Sequence, residues 1–221
     1  MFSMFHRNQL KKDALSEAQK IVSRICQANG ISPEPSIRIT VPSKEPIPNA
    51  FIMFSRKRPN QATIYIDQRL YNGTCNNALE KTIAHEIAHY YHRDPSYIGI
   101  WDDLCAKFGG QKATIKRNTN IIIKILREIR ADIDGAQYSS LARTDIIDEF
   151  NKLHKECGND ADTLQAHFCN HYPPYVMRAQ FVREYTSFTI ETIKAILKLY
   201  ADANYNFNES FIFQVFDSYK S

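Results

Sequence analysis

The chain has 221 residues, of which 43% are hydrophobic and 24% charged, with only seven glycines. That balance excludes a disordered or fibrous chain, and the length is enough to bury one good core. A net charge of +4 is mild, and no apolar run approaches the ~18 residues that span a bilayer.

The N-terminal stretch MFSMFHRNQLKKD leads into an amphipathic helix rather than an apolar leader core, so a cytoplasmic protein without a membrane span is expected. Apolar spacing predicts that helix over Asp13 to about Ala28, closed by Gly30. Strands are expected near Ser36–Val41, Ala50–Phe54 and Thr63–Asp67, separated by Pro and Lys/Arg turns. A second helix is expected from about Asn76 to His92. Leu79, Ile83, Ile87 and Tyr91 repeat at four-residue spacing, and Ala84 and Ala88 widen the stripe. Asn76 and Asn77 suit its N-cap, and Asp94-Pro95 suits its end.

A basic connection follows, rich in Lys107, Lys112, Lys116 and Arg117, with Lys124, Arg127 and Arg130 beyond it. It reads either as a solvated face or as a lid hinged at Gly109-Gly110 that prefers acidic peptide. It lacks the interleaved aromatics of a single-strand nucleic-acid binder, so no nucleic-acid partner is expected. A third long helix is expected over Asn120 to Leu141, then helical segments over Asp145–Cys157, Asp160–Cys169 and Tyr175–Ala203. The aromatic tail from Phe207 to Tyr219 is expected to dock on the core. No repeat or domain boundary appears. The expected fold is therefore one α+β domain over residues 1–221, mainly helical, with a small antiparallel sheet beside the second helix. Cys26, Cys75, Cys105, Cys157 and Cys169 are scattered and odd in number, which favours free thiols in a reducing compartment. Asn72-Gly73-Thr74 fits a glycosylation pattern but means nothing without secretion.

Chemistry concentrates in the second helix, at His85-Glu86-Ile87-Ala88-His89. Histidines four apart project from one helical face, about one turn from each other, and Glu86 points near the same edge. Two imidazoles and a carboxylate supply two ligands for one zinc ion and a general base for its water. A third ligand must come from elsewhere, and the downstream candidates are Glu128, Asp132, His154, His167 and His171. Ile121, Ile125, Glu128 and Asp132 form one helical stripe, so the two carboxylates continue a core-facing line. A buried carboxylate needs a partner. Zinc answers that for Glu128, and a zinc-bound imidazole N–H would answer it for Asp132. The competing reading pairs both with Lys124, Arg127 or Arg130. His92 is read as a surface or supporting residue rather than a ligand.

His85–His89 followed by Glu128-Ile129-Arg130-Ala131-Asp132 resembles the HExxH…ExxAD signature of gluzincin metallopeptidases. The chain looks most like the HtpX and CAAX-prenyl-endopeptidase family, metallopeptidase family forty-eight. Pro48-Asn49-Ala50-Phe51 resembles that family's PNAF stretch, Ile64-Tyr65-Ile66 with Leu70 its following strand, and Pro173-Pro174 with Arg178 its HPPxxxR motif. The family's histidine before the two prolines is Tyr172 here, with His171 one place earlier, and its usual glycine is missing at Gln68-Arg69. ImmA/IrrE-type peptidases share the first motif, but their second helix usually follows sooner. The resemblance implies a zinc endopeptidase with His85, His89 and Glu128 on the metal and Glu86 as base. Tyr172 or His171 would stabilise the oxyanion, while Arg178 would assist there or brace Asp132. Unfolded or extended polypeptide would add along the Thr63–Asp67 strand. The rivals are a non-catalytic module on the same scaffold and a metal-free structural protein.

Overall fold

The computed structural model describes residues 2–40, 49–58, 60–71, 77–94, 100–158 and 161–217. Pro48, Asn72–Cys75, Asn76, Pro95 and Asp160 lie outside these residues. The chain divides into two compact units. The first comprises Met1–Ser96 with Asp134–Ile146, the second Tyr97–Ile133 with Ile147–Ser221.

In the first unit, helix α1 runs from Phe2 to Ala28 and is longer than expected at its start. Ala14, Ala18, Ile21, Val22, Ile25 and Cys26 form its buried stripe. It ends where Gly30 takes the left-handed conformation (φ 64°) and Ile31 N–H donates to Cys26 C=O at 2.9 Å. The strands are β1 (Ser36–Thr40), β2 (Ala50–Phe54) and β3 (Ala62–Asp67). Alternation turns Ile39, Ala50, Ile52, Ala62, Ile64 and Ile66 inward, against α1 and α2 (Asn77–Tyr91), and leaves Phe51 and Met53 outside.

The sheet order is β1-β3-β2, which corrects the expected antiparallel sheet. β3 pairs antiparallel with β2 and parallel with β1. The reason is topological. The chain reverses into β2 and again into β3, and β3 then inserts between its predecessors, so it runs alongside β1. A second correction follows. Thr63–Asp67 lies in the central strand, with a neighbour on each side, and offers no edge to a peptide. The sheet's edges are β1, packed on α1, and β2, packed on α2.

Among the described residues, the second unit is helical. It holds α3 (Ile100–Lys107), most of α4 (Ala113–Tyr138) and of α5 (Arg143–Cys157), then α6 (Leu164–Asn170), α7 (Tyr175–Glu184), α8 (Ile190–Asp202) and α9 (Glu209–Asp217). Its core gathers the α4 isoleucines with Phe168, Phe181, Ile196, Tyr200 and Ile212, and α9 brings the aromatic tail into it. The expected helix Tyr175–Ala203 is two helices, because the chain runs extended at Tyr185 and restarts at Thr189, whose N–H is accepted by the Thr192 hydroxyl. The basic connection contains α3. Arg130 is no part of a solvated lid: it is 3% exposed, with its guanidinium over Phe188 and Phe216. The fold is mostly helical α+β with one small mixed sheet. No helix among the described residues is long and apolar enough to cross a membrane.

Candidate metal centre

The imidazoles of His85 and His89 stand on one face of α2, with ring centroids 4.6 Å apart and planes nearly perpendicular. Their Nε2 atoms approach to 3.0 Å. Two nitrogens at ~2.0–2.1 Å from a tetrahedral zinc would stand roughly 3.3 Å apart, so the pair is spaced to share one ion. Glu86, between them, is 6% exposed and buried with the helix face.

The tautomer of His89 is set locally. α2 stops at Tyr91, and Arg93 adopts a left-handed conformation (φ 56°) that turns the chain back. The turn brings Asp94, 4% exposed, to His89 Nδ1 at 2.9 Å. With Nδ1–H donated to that carboxylate, Nε2 is left with its lone pair, as a ligand requires. In the sequence Asp94 reads only as part of a helix stop. The signal that would have found it was the question of which acceptor serves a ligand histidine's second nitrogen.

α4 belongs to both units, and its last turns pack on α2 at Gly135. A Cβ at Gly135 would stand 3.0 Å from His85 N and 3.1 Å from Ala84 C and His85 Cα. Glycine is therefore the residue that admits this backbone approach, at the turn that carries the first histidine. Its sequence signal was a glycine inside a long helix, one turn after Ala131, where propensity alone disfavours it. His92 is engaged by the same helix end, its Nε2 lying 2.7 Å from Asp134 Oδ2. Glu128 lies two turns earlier on α4. His85, His89 and Glu128 each offer one ligand atom, and the three atoms lie within 4.8 Å of one another. Among the described residues this is the group of three or more such side chains that could hold a metal ion.

Asp132 meets Arg178 as a two-pronged ion pair, Nε to Oδ2 at 2.7 Å and Nη2 to Oδ1 at 2.6 Å. This is the Asp132 contact weighed for Arg178. Burial works against the Arg178 charge, but Asp132 more than offsets it and keeps the guanidinium protonated. His171 ends α6 in a left-handed conformation (φ 62°), with Lys124 Nζ 3.3 Å from its Nδ1. Burial, then Lys124 and Arg117, lower its pKa. Facing the Lys124 ammonium, a donor, Nδ1 accepts, which leaves the ring hydrogen to Nε2. Tyr172 is 44% exposed. His154 and His167, considered as third ligands, both face Asp162 instead.

A pair of helix-borne histidines spaced for one ion and a carboxylate from a later helix are a group that could hold a metal ion, with Glu86 between the histidines. Residues 14–108 match the sequence profile of Peptidase family M48. The chain is also similar to a protein named Protease HtpX homolog from Campylobacter hominis, 32% identical over 90 residues, which are 41% of this chain and 30% of that protein. Over that segment the chain is similar to the M48 peptidases. The matched stretch spans less than a third of that relative, and Glu128, Asp132 and Arg178 lie beyond the profile match. No solved structure matches.

Proposed function

We propose that the protein is a zinc-dependent endopeptidase acting on extended or unfolded polypeptide. The observation that carries this reading is the grouping of His85, His89 and Glu128 within reach of one ion. Borderline-soft imidazole nitrogens and one carboxylate are a donor set that suits zinc, one ion per chain, and leaves a coordination position open. When bound there, zinc supplies Lewis acidity: it polarises a carbonyl and lowers the pKa of a water toward neutrality.

The chain's own residues do the rest. Glu86 takes the proton of the attacking water and passes it to the leaving amine. His171, whose tautomer leaves an Nε2–H donor, or Tyr172, whose phenol is exposed, stabilises the developing oxyanion. Asp94 orients His89, and Arg178 holds the Asp132 carboxylate. β2 supports the mode of substrate binding. It is an edge strand packed on the motif helix, so a peptide adding to it gains main-chain hydrogen bonds with little dependence on its side chains. The peptidase acts as one domain, which the passage of α4 through both units supports. Free thiols at Cys26, Cys105 and Cys157 agree with a cytoplasmic setting.

The test is hydrolysis of a denatured protein by zinc-loaded enzyme. Glu86→Gln abolishes cleavage with one zinc per chain retained; His85→Ala and Glu128→Ala lose the zinc. Cleavage by Glu86→Gln at the parent rate sinks the mechanism. Zinc binding without hydrolysis in the parent would point to a non-catalytic module.

A further inference from the structure

We propose that Asp162 is a positioning residue of this peptidase, acting through helix α7 on Arg178 and Asp132. The inference rests on the peptidase reading above. Asp162 lies in the turn before α6, and its side chain is fully buried. Its carboxylate has four polar partners. Oδ1 accepts the backbone N–H of Tyr175 at 2.8 Å and lies 2.8 Å from His167 Nε2. Oδ2 accepts the N–H of Val176 at 2.9 Å and lies 2.7 Å from His154 Nδ1. One carboxylate thus ties together α5, α6 and the start of α7. Both oxygens are occupied by donors, so its chemistry is that of an anchor and not of a free acid or ligand.

The anchor is needed because of what precedes α7. A helix start leaves N–H groups without intrahelical partners, and a Ser, Thr, Asp or Asn at the N-cap usually serves them. Here Pro174 occupies the N-cap position and has no side chain that can do so. Asp162 serves the first turn from thirteen residues upstream. Arg178 follows Tyr175 by one turn on the same helix. Its fork meets Asp132 with both contacts at or below 2.7 Å, a geometry that tolerates little rotation or slip of α7. The guanidinium also lies over the Phe150 ring at 4.6 Å, so α5 and α7 frame it together. Holding the first turn of α7 holds the arginine. The same cap fixes the exit of Pro173-Pro174 and with it the chain at His171 and Tyr172.

The experiment compares zinc-loaded full-length parent, Asp162→Asn, Arg178→Lys and the double variant. Asn keeps the volume but turns one acceptor into a donor that opposes a backbone N–H. Asn208→Ala, which removes the α9 cap at Phe211 N–H, serves as a control for ordinary loss of a helix cap in the same unit. Two readouts are taken: kcat and KM on a denatured protein, and the NMR signal of the Arg178 Nε–H, assigned by its loss in Arg178→Lys. Asp162→Asn is expected to lower kcat by roughly 10–100-fold, the range for residues that orient ligands, with KM nearly unchanged. The Nε–H signal should shift and exchange faster, and the double variant should be no slower than the worse single. Asn208→Ala should lower Tm and leave both readouts as in the parent. An Nε–H signal unaltered by Asp162→Asn, or kcat losses that multiply in the double variant, overturns the proposal. Absence of hydrolysis in the parent sinks the peptidase reading alone, and the Nε–H signal still decides whether Asp162 sets the arginine.

Discussion

Substituting Gly135 with alanine tests whether the approach of α4 to α2 builds the metal centre. The added Cβ would stand 3.0–3.1 Å from backbone atoms of Ala84 and His85. Ordinary carbon contacts lie at ~3.5–4.0 Å, so the two backbones must part by about 0.5 Å. Both are helical backbone, with no flexible side-chain end to give way. Overpacking of this kind costs about 1–3 kcal/mol, and the better helix propensity of alanine returns about 1 kcal/mol. The net change in stability is a loss of about 0–2 kcal/mol. The metal is far less forgiving, because ligand distances hold to within ~0.2 Å. Zinc affinity should fall about 10–100-fold, as when an orienting residue is lost. Chelator competition gives the Kd, and thermal unfolding with and without zinc gives the stability. Gly110→Ala is the control, since a Cβ there meets nothing within 4 Å. Unchanged zinc affinity in Gly135→Ala, with a raised apo Tm, would refute the argument.

Three further outcomes follow from the geometry. Asp94→Ala removes the acceptor from His89 Nδ1 and should weaken zinc binding about 10–100-fold; equal affinity in competition assays would show that Asp94 does not set the tautomer. Glu80 accepts from Arg24, Ser139 and the Ser140 N–H and hydroxyl; burial raises its pKa, but these donors outweigh it and the net shift is downward. A carboxylate with a depressed folded pKa stabilises above its unfolded pKa of ~4.3, and the contribution is lost as pH falls through the folded value. Glu80→Gln should therefore cost about 1–2 kcal/mol at pH 7 in urea unfolding, with Arg24 half exposed, and less at pH 3. An equal deficit at both pH values would contradict the ion-pair account. The buried hydroxyl of Tyr200 has no hydrogen-bond partner among the described residues, so Tyr200→Phe should hold or raise stability by about 1 kcal/mol; a clear drop in Tm would reveal a partner.

The elements that carry the centre were legible because their signals are local. Histidines at i and i+4 share a helix face wherever that helix goes, and the Ile121–Asp132 stripe assigns Glu128 to the buried side of α4 by the same periodicity. The N-terminal helix, its Gly30 stop, the three strands and the docking of the aromatic tail followed from apolar spacing in the same way. Other features were not legible because they join segments far apart in the chain. Strand alternation fixes which face of β3 is buried but not which strands flank it, so the mixed order β1-β3-β2 and the loss of an edge at Thr63–Asp67 waited for the fold. Helical periodicity cannot tell one helix from two across Tyr185–Thr189.

The sequence by itself determined the candidate ligand types, their spacing on each helix and the face each presents. Only the tertiary structure decided the contacts made by these helices: Gly135 against the His85 backbone, Asp94 turned back on His89, Arg178 forked on Asp132, and Asp162 serving the first turn of a helix whose N-cap is proline. Periodicity is a property of one segment, whereas close approach and the choice of hydrogen-bond partner are properties of pairs of segments, set when the core packs.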